Sequence, residues 1–200
     1  MSTTDLFAAA HRDDHETMAR LQTRLAEEAD QDGVLDVAYR LLDSPVGTLL
    51  LAATERGLVR VAFAVQDHDA ALEQLAARIS PRVLLAPARL DLAARELDDY
   101  FARRRTAFDL PLDLRLASGF RRSVLEHLRE IGYGTTASYK ALAATAGNPG
   151  AVRAVGTACA TNPLPLVIPC HRVVRSDGQI GNYAGGTEAK HALLALESRA

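Results

Sequence analysis

The chain has 200 residues, of which 48% are hydrophobic and 24% charged, which is enough for one core or two small ones. Its only cysteines are Cys159 and Cys170, and their spacing fits neither a disulfide framework nor a metal site. The first residues lack a basic leader, and no apolar run approaches membrane-spanning length. These features argue against secretion and membrane insertion and predict a globular protein of the reducing cytoplasm.

The charge is unevenly distributed although the net charge is only −2. Residues 118–200 carry nine Lys/Arg against five Asp/Glu, a net charge of +4, and residues 1–117 carry fourteen against twenty, a net charge of −6. A mild basic excess in the second half is compatible with modest contact to nucleic-acid phosphates, but random scatter of charge remains an alternative.

Residues 1–33 form a polar amino-terminal extension. Met18, Leu21 and Leu25 follow a loose helical spacing. His11 and His15 would share one helix face and could be a metal pair, but no third ligand type lies near them. The sequence therefore favours a solvated helix or a flexible extension over a metal site.

Residues 34–114 are predicted to form an α/β domain. Apolar runs between Leu35 and Phe63 are broken by turn residues at 43–47 and 55–57, which predicts an antiparallel meander. Helical spacing over 68–79 and 88–104 predicts two helices, which we expect to cover one face of the sheet. The run Arg103-Arg104-Arg105 is interpreted as a basic helix end rather than a phosphate contact.

Residues 118–200 begin with a predicted amphipathic helix that ends near Gly132. Ser138 is a suitable N-cap for a short helix through Ala146, and Gly147-Asn148-Pro149-Gly150 interrupts it before a second helix to about Ala160. This is a helix-turn-helix pattern. Such pairs occur both in DNA-binding proteins and as ordinary packing motifs, so the pattern alone leaves both open.

The most informative segment is Ile168-Pro-Cys-His-Arg-Val173, because it sets a potential nucleophile beside a potential base. A thiol must lose its proton before it attacks carbon, and an imidazole usually takes that proton directly or through one water. Successive side chains on extended backbone point to opposite faces. A buried thiol at Cys170 beside an unrelated histidine at position 171 therefore remains an alternative.

Six separated blocks between Ser118 and Glu197 resemble the catalytic domain of the O6-alkylguanine-DNA alkyltransferases. The blocks are Thr-Ala-Ser-Tyr at 136–139, Gly-Asn-Pro at 147–149, Arg-Ala-Val-Gly at 153–156, Asn-Pro at 162–163, Pro-Cys-His-Arg-Val at 169–173 and Gly-Asn-Tyr-Ala-Gly-Gly at 181–186. The resemblance implies an α+β fold: a small amino-terminal antiparallel sheet with helices, ribonuclease-H-like, and then a mostly helical carboxy-terminal domain with a helix-turn-helix, winged-helix-like.

The resemblance also implies an activity. It is DNA repair by direct reversal: a methyl or other alkyl group moves irreversibly from O6 of guanine, with O4 of thymine as a further candidate, to Cys170. The damaged base would be flipped from the minor groove of duplex DNA. The thioether product has no hydrolysis route, so each molecule should react once. No cofactor and no metal are expected, and the partner is double-stranded DNA containing O6-alkylguanine, bound by a monomer that could assemble cooperatively.

Residue roles carry over position by position. Cys170 would be the acceptor, His171 its base through a water, and Glu197 the residue that orients the imidazole. Glu197 lies on a final helix that Thr187 is expected to cap. Tyr139 would help to turn out the nucleotide and give a proton to the leaving guanine.

The remaining matched positions concern DNA and the pocket. Arg153 would fill the gap left by the flipped base, and Ser138 belongs to the same DNA-binding motif. Cys159 is expected to be a small buried hydrophobe. Ala184 stands where some relatives carry serine, so a hydroxyl is lost there. The expected pocket residues are Asn162, Pro165, Val173, Gly181, Tyr183 and Ala184.

Three other functions are weighed against the alkyltransferase. A non-catalytic sensor of alkylated DNA would lack the acceptor, but Cys170 is present. A helix-turn-helix regulator would leave Cys170, His171 and Glu197 without a role. A cysteine hydrolase would not need Arg153 or Tyr139 at their positions.

Overall fold

The computed structural model describes residues 17–18 and 20–198. The first helix, α1, covers residues 20–31 and packs on the core through Ala26 and Ala29, which are 6% and 8% exposed. Of the two alternatives that the sequence left open, the structure has the helix. The apolar side chains that indicated it are more than half exposed, at 55%, 55% and 54% for Met18, Leu21 and Leu25. His11 and His15 lie outside the described residues, so the statement that they hold no metal stays a prediction.

A four-stranded sheet follows. Strands β1 (Val37–Leu42), β2 (Leu49–Thr54) and β3 (Gly57–Phe63) form the predicted antiparallel meander. Strand β4 (Val83–Leu85) adds to the free edge of β1 in parallel, giving the order β3-β2-β1-β4. The sheet is therefore mixed rather than purely antiparallel, because the chain crosses over the sheet through a helix before β4. A run of three apolar residues is too short to predict that strand from the sequence.

Helices α2 (His68–Arg78) and α3 (Asp91–Phe101) lie on opposite faces of the sheet. Leu75 of α2 packs in a cluster with Leu50, whereas Leu97 of α3 packs in another with Leu51. Since neighbouring strand residues point to opposite faces, the prediction that both helices cover one face was wrong. All six residues of β2 are buried, as expected for a strand covered on both sides.

The run of three arginines lies just beyond α3. Arg104 pairs with Asp99 at 2.7 Å, and Arg105 pairs with the buried carboxylate of Glu96 at 3.2 Å. Both acids belong to α3. These contacts support the interpretation of the run as a basic helix end.

The carboxy-terminal part is mostly helical, as predicted. It contains α4 (Gly119–Leu128), α5 (Tyr139–Thr145), α6 (Val152–Ala160), α7 (Gly186–Glu197), and a pair of two-residue strands, β5 (Ala137–Ser138) and β6 (Val173–Val174). The hydroxyl of Ser138 accepts from the Ala141 N–H at 3.1 Å and so caps α5. The predicted helix-turn-helix is therefore present. The predicted cap of the last helix was wrong, because α7 begins at Gly186 and places Thr187 inside it.

The two parts of the chain share one hydrophobic core. The cluster that holds Leu51 and Leu97 also holds Val124 and Cys170. At the sheet edge, the Val61 N–H donates to the Pro163 carbonyl at 2.8 Å. The amino-terminal sheet thus packs directly behind the segment that carries the candidate nucleophile. Within the described residues, no helix has both the length and the apolar character needed to cross a bilayer.

Candidate active site

Cys170 lies at the start of a short 3-10 turn, Cys170–Arg172, and is only 2% exposed. Four residues before this turn, Leu166 has a φ of +74°, in the left-handed region that a residue with a side chain rarely adopts. Because the backbone turns here, Cys170 and His171 do not alternate across a strand. The structure therefore removes the main reason for regarding the two as unrelated.

Asn162 holds the thiol in place. Its Nδ2 donates to Cys170 Sγ at 3.2 Å and to the Ile168 carbonyl at 2.8 Å, and its Oδ1 accepts from the Leu164 N–H at 2.9 Å. The side chain is 1% exposed. Asn162 lies two residues beyond the end of α6, so these bonds tie the end of the helix-turn-helix to the turn that carries the thiol.

His171 is fully buried and bonds to Glu197 rather than to the thiol. Its Nε2 lies 2.9 Å from Glu197 Oε1, whereas Nδ1 has no hydrogen-bond partner among the described residues. A carboxylate only accepts, so Nε2 must carry the proton. Nδ1 then presents a lone pair, which is the form of imidazole that can take a proton from another group.

Glu197 is the centre of a buried polar cluster that connects both parts of the chain. Besides His171, its carboxylate accepts from the Tyr100 hydroxyl at 2.7 Å, from Arg172 Nε and Nη2 at 2.9 Å each, and from the Gly134 N–H at 3.3 Å. Tyr100 comes from α3 of the amino-terminal part. Sequence reasoning missed Tyr100, Arg172 and Gly134, although Arg172 stands inside the motif that it quoted.

The surroundings set the pKa of each group. Burial raises the pKa of Cys170 to about 11, against the hydrogen bond from Asn162 and the charge of Lys190, so the resting group is a thiol. Burial lowers the pKa of His171, which keeps the ring neutral despite its bond to Glu197. Burial also raises the pKa of Glu197, but the hydrogen bonds from His171, Arg172 and Tyr100 outweigh it and bring that pKa to about 2.

Lys190 is a further buried charge that sequence reasoning missed. It is 0% exposed, its Nζ donates to the Val173 carbonyl at 2.6 Å, and burial lowers its pKa. Lys190, Leu193 and Glu197 occupy one buried face of α7. That spacing of three and four residues was available from the sequence and could have placed Lys190 on the same helix face as Glu197.

The expected pocket residues differ in burial and in the contacts that they make. Tyr139 is half-buried, and a Cβ at Gly181 would come within 2.6 Å of its hydroxyl oxygen, so only glycine lets the ring lie there. Tyr183 packs edge-on against His171, with ring centroids 6.1 Å apart. Of the other predicted positions, Pro165 and Val173 are buried and Ala184 is half-buried. Cys159 is a buried free thiol, as expected of a small hydrophobe.

Arg153 lies apart from this cluster. It is exposed in the first turn of α6, at the end opposite to Asn162. Arg153 is thus the exposed member of the predicted site residues, whereas the others are buried or half-buried.

Comparison with known proteins identifies the family. The model for the 6-O-methylguanine DNA methyltransferase ribonuclease-like domain matches residues 37–114, and the model for the DNA-binding domain of the same methyltransferase matches residues 119–199. A methylated-DNA–protein-cysteine methyltransferase of Mycolicibacterium paratuberculosis is 40% identical over 82% of this chain and 93% of its own length. One from Mus musculus is 41% identical over 80% of both chains.

Solved structures agree with these matches. A crystal structure of the Mycobacterium tuberculosis O6-methylguanine methyltransferase superposes with a TM-score of 0.72 at 37% identity, over 82% of this chain and 93% of that chain. A crystal structure of the M. tuberculosis OGT in complex with DNA gives 0.72 at 38% identity, over 81% and 93%. The chain therefore belongs to the O6-alkylguanine-DNA alkyltransferase family.

Proposed function

We propose that the protein repairs duplex DNA by moving an alkyl group from O6 of guanine onto Cys170. The observation that carries this proposal is a buried thiol that accepts a hydrogen bond from Asn162, followed in the chain by a neutral imidazole whose Nε2–H is fixed on Glu197. A hydrolase would need a site from which water can release the product. A thioether on Cys170 is not hydrolysed, so the transfer needs no access of water to the product. The burial of Cys170 among apolar side chains is compatible with this.

The chemistry follows from the two ring nitrogens of His171. Nδ1 takes the thiol proton through a water molecule, and Glu197 stabilises the imidazolium that forms. The thiolate then attacks the alkyl carbon, so that a C–S bond forms as the bond from carbon to guanine O6 breaks. The leaving guanine takes a proton, for which Tyr139 is the candidate donor. Each molecule is consumed in one reaction.

The DNA contact is assigned to the exposed helix α6. Arg153 lies on its first turn, and we infer that it enters the minor groove and replaces a flipped nucleotide in the stack. The Ser138 hydroxyl accepts from the Ala141 N–H and so caps α5. We assign Ser138 to the DNA contact because it lies at the start of the helix-turn-helix. We extend the substrate class to O4 of thymine, which presents the same alkyl–oxygen bond.

The pocket for the flipped base is assigned to the surroundings of Cys170. Gly181 leaves room for the Tyr139 ring. We assign the walls of the pocket to Tyr183 and Pro165. Val173 contributes a carbonyl that already accepts from Lys190. At Ala184 we assign the contact to guanine O6 to the backbone N–H, which does not need the serine hydroxyl that some relatives carry there. We infer that residues 118–200 carry out the transfer and that residues 34–114 pack against the segment that carries Cys170.

We further propose that the protein works as a monomer in the reducing cytoplasm, without cofactor or metal, and could assemble cooperatively along DNA. Both cysteines are free thiols, as alkyl transfer to Cys170 requires. No group of three or more potential metal ligands comes together in the part of the chain that is described.

Intact mass and peptide mapping test the transfer. After incubation with excess duplex carrying O6-methylguanine, the protein should gain one methyl group, located on Cys170. Cys159→Ser should gain the same group, whereas Cys170→Ser should gain none. A folded wild-type protein that binds the lesion without gaining mass would instead be a sensor of alkylated DNA.

A further inference from the structure

A cavity of about 300 Å³ lies between the sheet, α2 and the carboxy-terminal end of α6. Three arginines line it: Arg60 of β3, Arg78 of α2 and Arg121 of α4. They come from distant parts of the chain, so the fold, not a local run of sequence, brings them together. None of the site residues predicted from sequence except Asn162 borders this cavity.

The positive charge in this cavity has no acidic counterpart. No Asp or Glu lines the cavity, and none of the three arginines forms an ion pair among the described residues. Among the described residues, nine of the ten ion pairs are made by other arginines, each with a nearby acid. Three unpaired guanidinium groups around one concavity repel each other unless an anion joins them.

Arg60 shows this most clearly. Its Nε is buried and has no hydrogen-bond partner in the described residues. Burial, and then the charge of Arg78, lower the pKa of Arg60. A buried N–H donor without an acceptor is costly, and an unfilled donor of this kind calls for a ligand or a solvent molecule.

The other polar groups of the cavity are also placed to donate. Arg78 and Arg121 each hold a backbone carbonyl with one Nη2, of Leu116 at 3.4 Å and of Thr161 at 3.1 Å, which fixes each group and leaves other N–H donors free. Gln66 accepts from the Phe63 N–H through Oε1, so its amide NH₂ remains available. Fixed, forked donors of this type suit the oxygens of phosphate groups.

We propose that this cavity is a binding site for a small ligand that carries phosphate groups. The volume exceeds that of a single phosphate and suits a diphosphate. The site is distinct from the DNA contact assigned to Arg153, because the two lie at opposite ends of α6, about 10 Å apart along the helix axis. Asn162 and Pro163 form part of the cavity wall, so an occupant would lie directly behind the residue that holds the Cys170 thiol.

Calorimetric titration of the full chain with inorganic pyrophosphate, at constant ionic strength, tests the proposal. Wild-type protein should bind with one site, and Arg60→Gln should weaken binding about tenfold or more, because a charge-assisted contact in a recessed site is lost. Arg56→Gln is the matched control, since it removes the same charge from the exposed turn before β3. It should change the affinity less than about twofold.

Arg121→Gln serves as a second variant in case Arg60→Gln fails to fold, as judged by circular dichroism. Titration in the presence of saturating unmodified duplex distinguishes two sources of phosphate. Simultaneous binding assigns the site to free phosphates, whereas competition, with weaker duplex binding by Arg60→Gln, assigns it to the DNA backbone. Absence of pyrophosphate binding, or equal weakening by Arg60→Gln and Arg56→Gln, would overturn the proposal. Methyl transfer to Cys170 is measured separately, so either proposal can fail alone.

Discussion

The cluster around Glu197 and the outer face of α6 are built in opposite ways. Glu197 is 2% exposed and receives donors from Tyr100, His171, Arg172 and Gly134. Arg153, in contrast, is exposed on the first turn of α6. A buried network contributes to stability and chemistry together, because each missing partner leaves an unsatisfied charge. An exposed side chain can serve recognition without bearing on the fold.

Removal of the Glu197 carboxylate should have the largest effect on stability. Glu197→Ala leaves Arg172 buried without its partner, and we expect a loss of about 3–5 kcal/mol in the free energy of unfolding. Urea denaturation measures it. Glu188→Ala, an exposed change on the same helix, should cost less than about 1 kcal/mol. Similar losses in the two variants would show that the cluster is not a stability centre.

Acid should weaken the same network. The pKa of Glu197 is about 2 in the folded protein against an ordinary 4.5, so the unfolded chain binds the proton at higher pH. This stabilisation is complete above about pH 4.5 and is lost as the pH falls towards 2. It amounts to about 2 kcal/mol once solvent screening is allowed for, with about half lost by about pH 3.5.

The measurement is urea unfolding of wild type and Glu197→Gln at about pH 6 and about pH 3.5. Contributions of the other carboxylates cancel in the difference between the two proteins. That difference should shrink on acidification. A difference that stays constant would mean that Glu197 titrates normally.

Loss of the single hydroxyl of Tyr100 should have a smaller effect. Tyr100→Phe removes one of the hydrogen bonds to Glu197 and should cost about 1 kcal/mol. Because that bond lowers the pKa of Glu197, the variant should also lose stability at a higher pH than wild type. Tyr133→Phe is the control, since its hydroxyl lies 3.5 Å from the Leu196 carbonyl. An equal effect of both changes would contradict a special role for Tyr100.

Arg153→Ala should leave the free energy of unfolding within about 0.5 kcal/mol of wild type. If the side chain acts only on DNA, single-turnover transfer from duplex O6-methylguanine should fall about tenfold or more, whereas reaction with the free base should be unchanged. Arg95→Ala, an exposed change on α3, should affect neither rate. An equal loss of rate with the free base would mean that Arg153 takes part in the chemical step, and the contrast between the buried cluster and the outer face of α6 would then fail.

Local signals in the sequence were sufficient for much of the fold. The Ser138 cap, the break at Gly147 and the turns between β1, β2 and β3 each depend on a few neighbouring residues, and each is present. Long-range relations were different. The faces covered by α2 and α3 depend on the burial of both sides of β2, and a run of five apolar residues does not reveal which helix covers which side.

The candidate site shows the same limit. The motif around Cys170 identified the residues that meet there, because a resemblance carries information about distant contacts. Tyr100 carried no such signal: it lies 97 positions from Glu197 and makes its bond from the other part of the chain. The arginine cavity was equally hidden, since Arg60, Arg78 and Arg121 belong to three separate elements.

The bond from Tyr100 bears on how this protein could be divided or recombined. Two family models describe residues 37–114 and 119–199 as separate modules, yet the glutamate that fixes the imidazole takes a proton donor from the first module. Exchange of one module for a counterpart from a distant relative would therefore have to preserve a phenol at this contact. The two halves are expected to vary as a pair during evolution, with Tyr100 and Glu197 inherited together.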